Sequence, residues 1–285
     1  MFLVKDHSEI CEACFARPSK PENRDLLISC DLNTLPSPFG KVLVRVVMDG
    51  VSDADGKEAV EIAADTLLRQ LVSRLTTLSR RMADQVTKGY EEGRDDAEIQ
   101  DQLQGWIYDI LRDALYAAND ALTSSEYSRP YCTVSIAVAF DRYLYSCNLG
   151  DSPIYLLNLS TPSAELTSLF RCGNTAGRKV AEGTMTEAEA LHCREASQLE
   201  LFLGCREYDL LDEIYLSRTP LPQSCVLLLG SDGSLAQLPR QEMADAIRNH
   251  LDGGLAAVQM ELQSLVEESG STDDFTLVMD RIESD

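Results

Sequence analysis

The sequence predicts an α+β fold in which helices cover packed sheets. Three observations carry this: β-branched runs of strand length, two long stretches with an apolar stripe at helical spacing, and their order along the chain. That order is strands, a helix pair, strands, a helix pair and a last strand.

Cys11-Glu-Ala-Cys14 falls in an early strand, and Asp25–Cys30 reads as the next, followed by a turn at Pro36–Gly40. Lys41–Met48 (KVLVRVVM) is continuous and β-branched, the pattern of a buried strand, and stops at Asp49-Gly50. From Lys57 to about Met82, Ala59, Ile62, Ala63, Leu67 and Leu71 recur at three- and four-residue steps, which predicts a helix. The polar stretch Thr87–Asp96 reads as a loop before a second helix from about Ala97 to Leu122, with Ile99, Leu103, Trp106, Ile107, Ile110, Leu111 and Ala114 on its apolar stripe. Strands are predicted at Tyr131–Phe140, Arg142–Leu149 and Pro153–Leu159, then a short helix at Thr186–Ala196. Asp212–Leu216 and Ser224–Leu229 are further strands, Arg240–Leu251 and Gly254–Ser269 a second helix pair, and Thr276–Ile282 the last strand. No repeat or long linker interrupts this order, so residues 1–285 are expected to form one domain.

Charge excludes some functions. The 285 residues carry 25 Lys and Arg against 47 Asp and Glu, a net charge of −22. Such a surface repels phosphate backbones and anionic headgroups, so neither nucleic acid nor membrane is an expected partner. Met1-Phe2-Leu3-Val4 ends at Lys5-Asp6, too short for a signal-peptide core. Nine cysteines without framework spacing are expected to be reduced, and the chain is read as a cytoplasmic monomer.

One feature recurs. Buried-looking strands end in an aspartate beside a glycine, at Asp49-Gly50, Gly150-Asp151 and Asp232-Gly233. Asp273-Asp274 precedes the last strand, and Asp25 opens an early one. Any one of these is an ordinary turn signal. Converging at one sheet edge, such carboxylates would repel one another and call for a hard divalent cation such as Mg²⁺ or Mn²⁺.

Other motifs fail. Gly50–Lys57 lacks P-loop spacing, Asp53-Ala-Asp55-Gly56 lacks the first and last ligands of a calcium loop, and Cys11-x-x-Cys14 has no second pair. His7, His192 and His250 are read as structural or exposed.

Taken in order, Val46-Val-Met-Asp49-Gly50, Leu149-Gly150-Asp151-Ser152, Ser231-Asp232-Gly233 and Ser271-Thr-Asp273-Asp274-Phe-Thr276 resemble the motifs of the metal-dependent protein phosphatases of the type 2C class (PPM). Lys179–Ala190 resembles a segment of the bacterial branch. The resemblance spans nearly the whole chain. It implies an αββα sandwich of two antiparallel sheets flanked by helix pairs. It also implies hydrolysis of phosphoserine and phosphothreonine in proteins by a hydroxide bridging two Mn²⁺ or Mg²⁺ ions, opposed to a serine/threonine kinase. Asp49 would bridge the core ions, Gly50 would lend its carbonyl, and Asp232 and Asp273 would be terminal ligands. Asp151 would help to hold a third, weaker ion. Asp25 matches an aspartate of the catalytic pattern, and Lys20 stands where the family has its phosphate-binding arginine. The chain departs from the pattern at Lys20, Arg24 and Pro153. The first two departures favour a rival reading, a pseudophosphatase that serves as a regulatory binding module.

Overall fold

The computed structural model describes residues 9–283 apart from 18–19, 21, 34–40, 52–53, 92, 94, 162, 192 and 206–212. The predicted turn at Pro36–Gly40, and His7, Asp53, His192 and Asp212, lie outside the described residues.

Among the described residues, ten strands form two five-stranded sheets. One runs β2 (Asp25–Asn33), β3 (Lys41–Asp49), β4 (Val134–Phe140), β5 (Tyr143–Leu149), β8 (Tyr215–Pro220). The other runs β1 (Glu9–Phe15), β10 (Phe275–Glu283), β9 (Ser224–Gly230), β6 (Ile154–Asn158), β7 (Thr167–Ser168). Every pairing is antiparallel. Helices α1 (Gly56–Glu91) and α2 (Asp96–Thr123) belong to the first sheet, and α5 (Arg240–His250) and α6 (Leu255–Glu268) to the second. Two short helices, α3 (Thr175–Ala181) and α4 (Glu187–Ala190), lie in the excursion between β7 and β8.

Strand parity sorts the side chains into three apolar layers. Even positions of β3 (Val42, Val44, Val46, Met48) meet Leu67, Leu71 and Leu75 of α1 and Leu103, Ile107 and Leu111 of α2. Odd positions Leu43 and Val47 face the other sheet, where Leu227, Leu229, Val278 and Ile282 complete a middle layer. Val226, Leu228, Leu277 and Met279 point outward onto Met243, Ile247, Val258 and Leu262 of the second helix pair. Both faces of each sheet are therefore covered, which is why β3, apart from Arg45, and β9 read as apolar runs. The architecture is the αββα sandwich.

Arg45 is a charged residue buried in the middle layer, 1% exposed. It crosses to Asp280 of β10 with two parallel bonds, Nε to Oδ2 and Nη2 to Oδ1, both 2.7 Å, and also meets Asp31 at 2.8 Å. This bidentate fork satisfies a buried guanidinium where a single contact would not.

The structure corrects several element boundaries. Helix α1 continues to Glu91 and α2 begins at Asp96, so most of the predicted 87–96 loop is helical. Asp95 caps α2 by accepting from the Glu98 amide at 2.8 Å. The helix expected at 186–196 is one turn, Glu187–Ala190, followed by a 3₁₀ turn at Arg194–Ser197. The strand expected at 212–216 runs Tyr215–Pro220, at the edge of its sheet where a proline costs no ladder bond. No described helix is long and apolar enough to cross a membrane, and none of the nine cysteines is in a disulfide.

Candidate metal centre

The ladder registers bring the predicted carboxylates to one end of the sandwich. Asp25, at the start of β2, is the cross-strand partner of Asp49, at the end of β3. Val134 pairs with Leu149, so the Gly150-Asp151 turn from β5 into β6 lies at that same end. Leu277 pairs with Gly230, placing Asp232, just beyond β9, beside Asp273 and Asp274, just ahead of β10. Parity does the rest. Asp25 and Asp49 share the odd face of β2 and β3 with Leu27, Leu43 and Val47, so they open on the mouth of the middle layer.

Glycine permits the close packing of these turns. A Cβ on Gly50 would lie 2.4 Å from the Gly56 carbonyl oxygen at the start of α1 and 2.9 Å from that of Arg24. Gly150 has φ of +114°, a region closed to most L-residues, and a Cβ there would meet the Thr133 side chain at 2.5 Å.

The convergence has electrostatic consequences. Burial raises the Asp25 carboxyl to about 7, with Asp232 and Asp274 adding to the rise and the hydroxyls of Thr276 and Ser231 opposing it. Burial likewise raises Asp151 to about 7, helped by Asp232 and Asp273 and opposed by a hydrogen bond from Asn174. Asp49 stands well above the ordinary carboxylate range, through burial, the charges of Asp25, Asp232 and Asp273, and a hydrogen bond shared with Asp232. Asp232 is raised by burial and by Asp273. Carboxylates that interact this way hold protons in place of a counter-ion.

Lys20 supplies one positive charge. Its ammonium bonds Asp273 Oδ1 and lies 3.7 Å from Asp274 Oδ2. Burial acts to lower Lys20, but the bond and charge of Asp273, with Asp274 and Asp49 beyond, raise it overall. The Arg24 side of the loop contributes backbone: its amide donates to Asp274 Oδ2 at 3.0 Å and its carbonyl accepts from Gly50 at 3.1 Å.

As the side chains stand, no group of three or more His, Cys, Asp or Glu among the described residues forms a metal-holding set. Lys20 occupies Asp273, and Asp49 and Asp232 hold each other. The donors nonetheless suit a hard cation in kind, being all carboxylate oxygen. Asp25 Oδ2 and Asp274 Oδ1 are buried without a hydrogen-bond partner among the described residues.

The sequence reading gave no role to four contributors, although three of them stand inside its motifs. Asp274, 2% exposed, receives the Arg24 amide. Ser231 and Thr276 act on Asp25. Asn174 donates from Nδ2 to Asp151 Oδ2 at 2.9 Å. Asn174 carries a helix-cap signal ahead of Thr-Ala-Gly-Arg-Lys, but nothing local announces the distant aspartate. Cys11 and Cys14 lie on β1, with Cys14 accepting from Asn23 at 3.0 Å, and His250 meets Glu261 at 3.7 Å on the surface.

This architecture is that of the PPM serine/threonine phosphatases. The PPM Ser-Thr phosphatase MsPP from Mycobacterium smegmatis superposes with a TM-score of 0.66 at 18% identity, over 99% of each chain. The serine/threonine phosphatase of S. agalactiae does so at 0.68 and 18% identity, over 97% of this chain and 100% of its own. The catalytic domain of PstP, a serine/threonine protein phosphatase solved with two manganese ions, gives 0.65 at 17% identity, over 99% of this chain and 100% of its own. No protein-family model and no curated protein sequence matches the chain. The likeness is one of fold.

Proposed function

We infer that the chain is a metal-dependent protein serine/threonine phosphatase. The observation that carries this reading is the convergence of Asp25, Asp49, Asp151, Asp232 and Asp273 at one end of a PPM-type sandwich, in the order and positions the motif resemblance implies. Solved neighbours with this fold are serine/threonine phosphatases, one of them carrying manganese.

In this reading Asp49 with the Gly50 carbonyl, Asp232 and Asp273 would hold two Mn²⁺ or Mg²⁺ ions, and Asp151 would contribute to a third. Bound there, the ions would lower the pKa of water and neutralise phosphoryl charge. Asp25, opposite Asp49 and with one oxygen unpartnered, orients water at the reacting phosphorus. Lys20, now bonded to Asp273, would be free to meet the phosphate once that carboxylate held a cation, as a point charge without a guanidinium fork. No side chain needs to be phosphorylated. The substrates are phosphoproteins, set against a serine/threonine kinase. The −22 charge favours basic surroundings for the phosphorylated residue.

The test is hydrolysis of p-nitrophenyl phosphate and a phosphothreonine peptide with Mn²⁺, with EDTA, and in Asp232→Asn. Turnover that requires Mn²⁺ and disappears in the variant supports the reading. A chain that neither binds Mn²⁺ nor turns over either ester would return the case to a binding module.

A further inference from the structure

Between β7 and β8 the chain makes an excursion that carries α3 and α4 and then returns beside its own start. Its base is laced by backbone bonds. Gly173 donates to the Gly150 carbonyl at 2.8 Å and accepts from the amides of Glu200 and Leu201, both at 2.9 Å. Thr175 donates to the Gln198 carbonyl at 2.9 Å.

The Asn174 side chain sits at the centre of this base, 6% exposed. Its Oδ1 accepts from the Gly177 amide at 2.8 Å and caps α3. Its Nδ2 donates to Asp151 Oδ2 and to the Ala196 carbonyl, both at 2.9 Å. One amide thus joins three segments: the β5–β6 turn, the start of α3 and the returning chain.

Capping alone does not account for these contacts. A cap needs an acceptor, which serine, threonine or aspartate supplies as well as asparagine. The two donors of the amide are what the other side chains lack, and one is spent on a carboxylate that is itself 7% exposed. A donor held on one oxygen of Asp151 limits the rotation of that carboxylate and so sets where the other oxygen points.

We propose that Asn174 is a positioning residue that ties the 175–200 excursion to Asp151, so that the order of the excursion and the orientation of that carboxylate are coupled. The consequence for metal binding rests on the phosphatase reading. The tether itself rests on geometry.

The tether is tested by hydrogen exchange on the metal-free chain. In Asn174→Asp the cap acceptor survives, but the amide donors to Asp151 and the Ala196 carbonyl are lost. The amides of Thr175, Glu200 and Leu201 are expected to exchange about tenfold faster or more. The double variant Asn174→Asp with Asp151→Asn exchanges donor for acceptor and should recover most of the protection. Asn174→Ser, the second single variant, keeps the cap and drops the amide. It should speed the same amides while Gly177 stays protected. Wild-type exchange in Asn174→Asp, or a double variant as fast as the single one, would reduce Asn174 to a cap and overturn the proposal.

A second arm is Mn²⁺ titration by calorimetry. Asn174→Ser should weaken the weaker class of sites about tenfold and leave the tighter class unchanged. Equal change in both classes, or none in either, contradicts the coupling. A wild-type chain that binds no Mn²⁺ would sink the phosphatase reading, while the metal-free exchange would still decide the tether.

Discussion

Asp25 and Asp49 oppose each other directly across the β2–β3 ladder, on the face that opens into the middle of the sandwich. Like charges in that relation destabilise a sheet. The pair is therefore a cost to the metal-free fold, and removing one member separates what it does for stability from what it does for function.

Asp49→Asn is expected to lower Mn²⁺-dependent hydrolysis of p-nitrophenyl phosphate by about a thousandfold, the loss of several kcal/mol of electrostatic catalysis. The same change should raise the melting temperature in EDTA, because it relieves repulsion from Asp25, Asp232 and Asp273. Full activity in the variant would show that the bridging position has been misplaced.

Stability should depend on pH in a definite direction. Asp25 and Asp151 stand at about 7 in the folded chain. Unfolded carboxyls of this type titrate near pH ~4. Between those values the folded state binds more protons, so the stability of the metal-free protein falls as pH rises through the window. Melting in EDTA should drop by several degrees from pH 5 to pH 8, and Asp25→Asn should flatten the slope. With saturating Mn²⁺ the trend should reverse, because ligands give up protons on binding. A metal-free melting point that climbs with pH would refute the proton-holding cluster.

Lys20→Ala removes the ammonium from Asp273 and Asp274. KM for phosphate esters is expected to rise about tenfold with kcat little altered, the signature of lost ground-state binding. Mn²⁺ should bind several-fold more tightly, since a competing cation has gone. If KM, kcat and Mn²⁺ affinity all stay at wild-type values, Lys20 has no part in the site.

Breaking the Arg45–Asp280 pair should be costly. Asp280→Ala leaves a guanidinium 1% exposed with only Asp31 among its carboxylate partners, and about 3–5 kcal/mol should be lost in urea unfolding. Replacing both, Arg45→Met with Asp280→Leu, should restore most of it. A double variant no more stable than the single one would mean that the pair is worth more than the apolar layer around it.

The helices and central strands were legible because packing imposes a period on them. Leu67 and Leu71, and Val42, Val44 and Val46, sit where a stripe or an alternation puts them. The tip of α1 beyond Met82 was not legible, since polar residues that continue a helix look like a loop. The helix start at Thr186 was legible, but not that it lasts a single turn, Glu187–Ala190, set by its cap box at Thr186 and Glu189 and with no buried residue to carry it further. The site was half legible. Asp beside Gly marks a strand end, but that the ends meet is a property of register, which pairs residues such as Asp25 and Asp49 across intervening chain. Asn174 lay beyond reach for the same reason, because its partner is defined by the fold and not by its neighbours in sequence.

Two of the carboxylates come from each sheet, Asp25 and Asp49 from one and Asp232 and Asp273 from the ends of strands in the other, with Asp151 on the turn that joins the two. The gap between them is therefore a jaw whose gape is the thickness of the sandwich filling, and Arg45 with Asp280 ties the two sheets together across it. Enlarging Ala139 or trimming Leu227, both in that filling, is a mechanical adjustment of the jaw made without touching a single carboxylate.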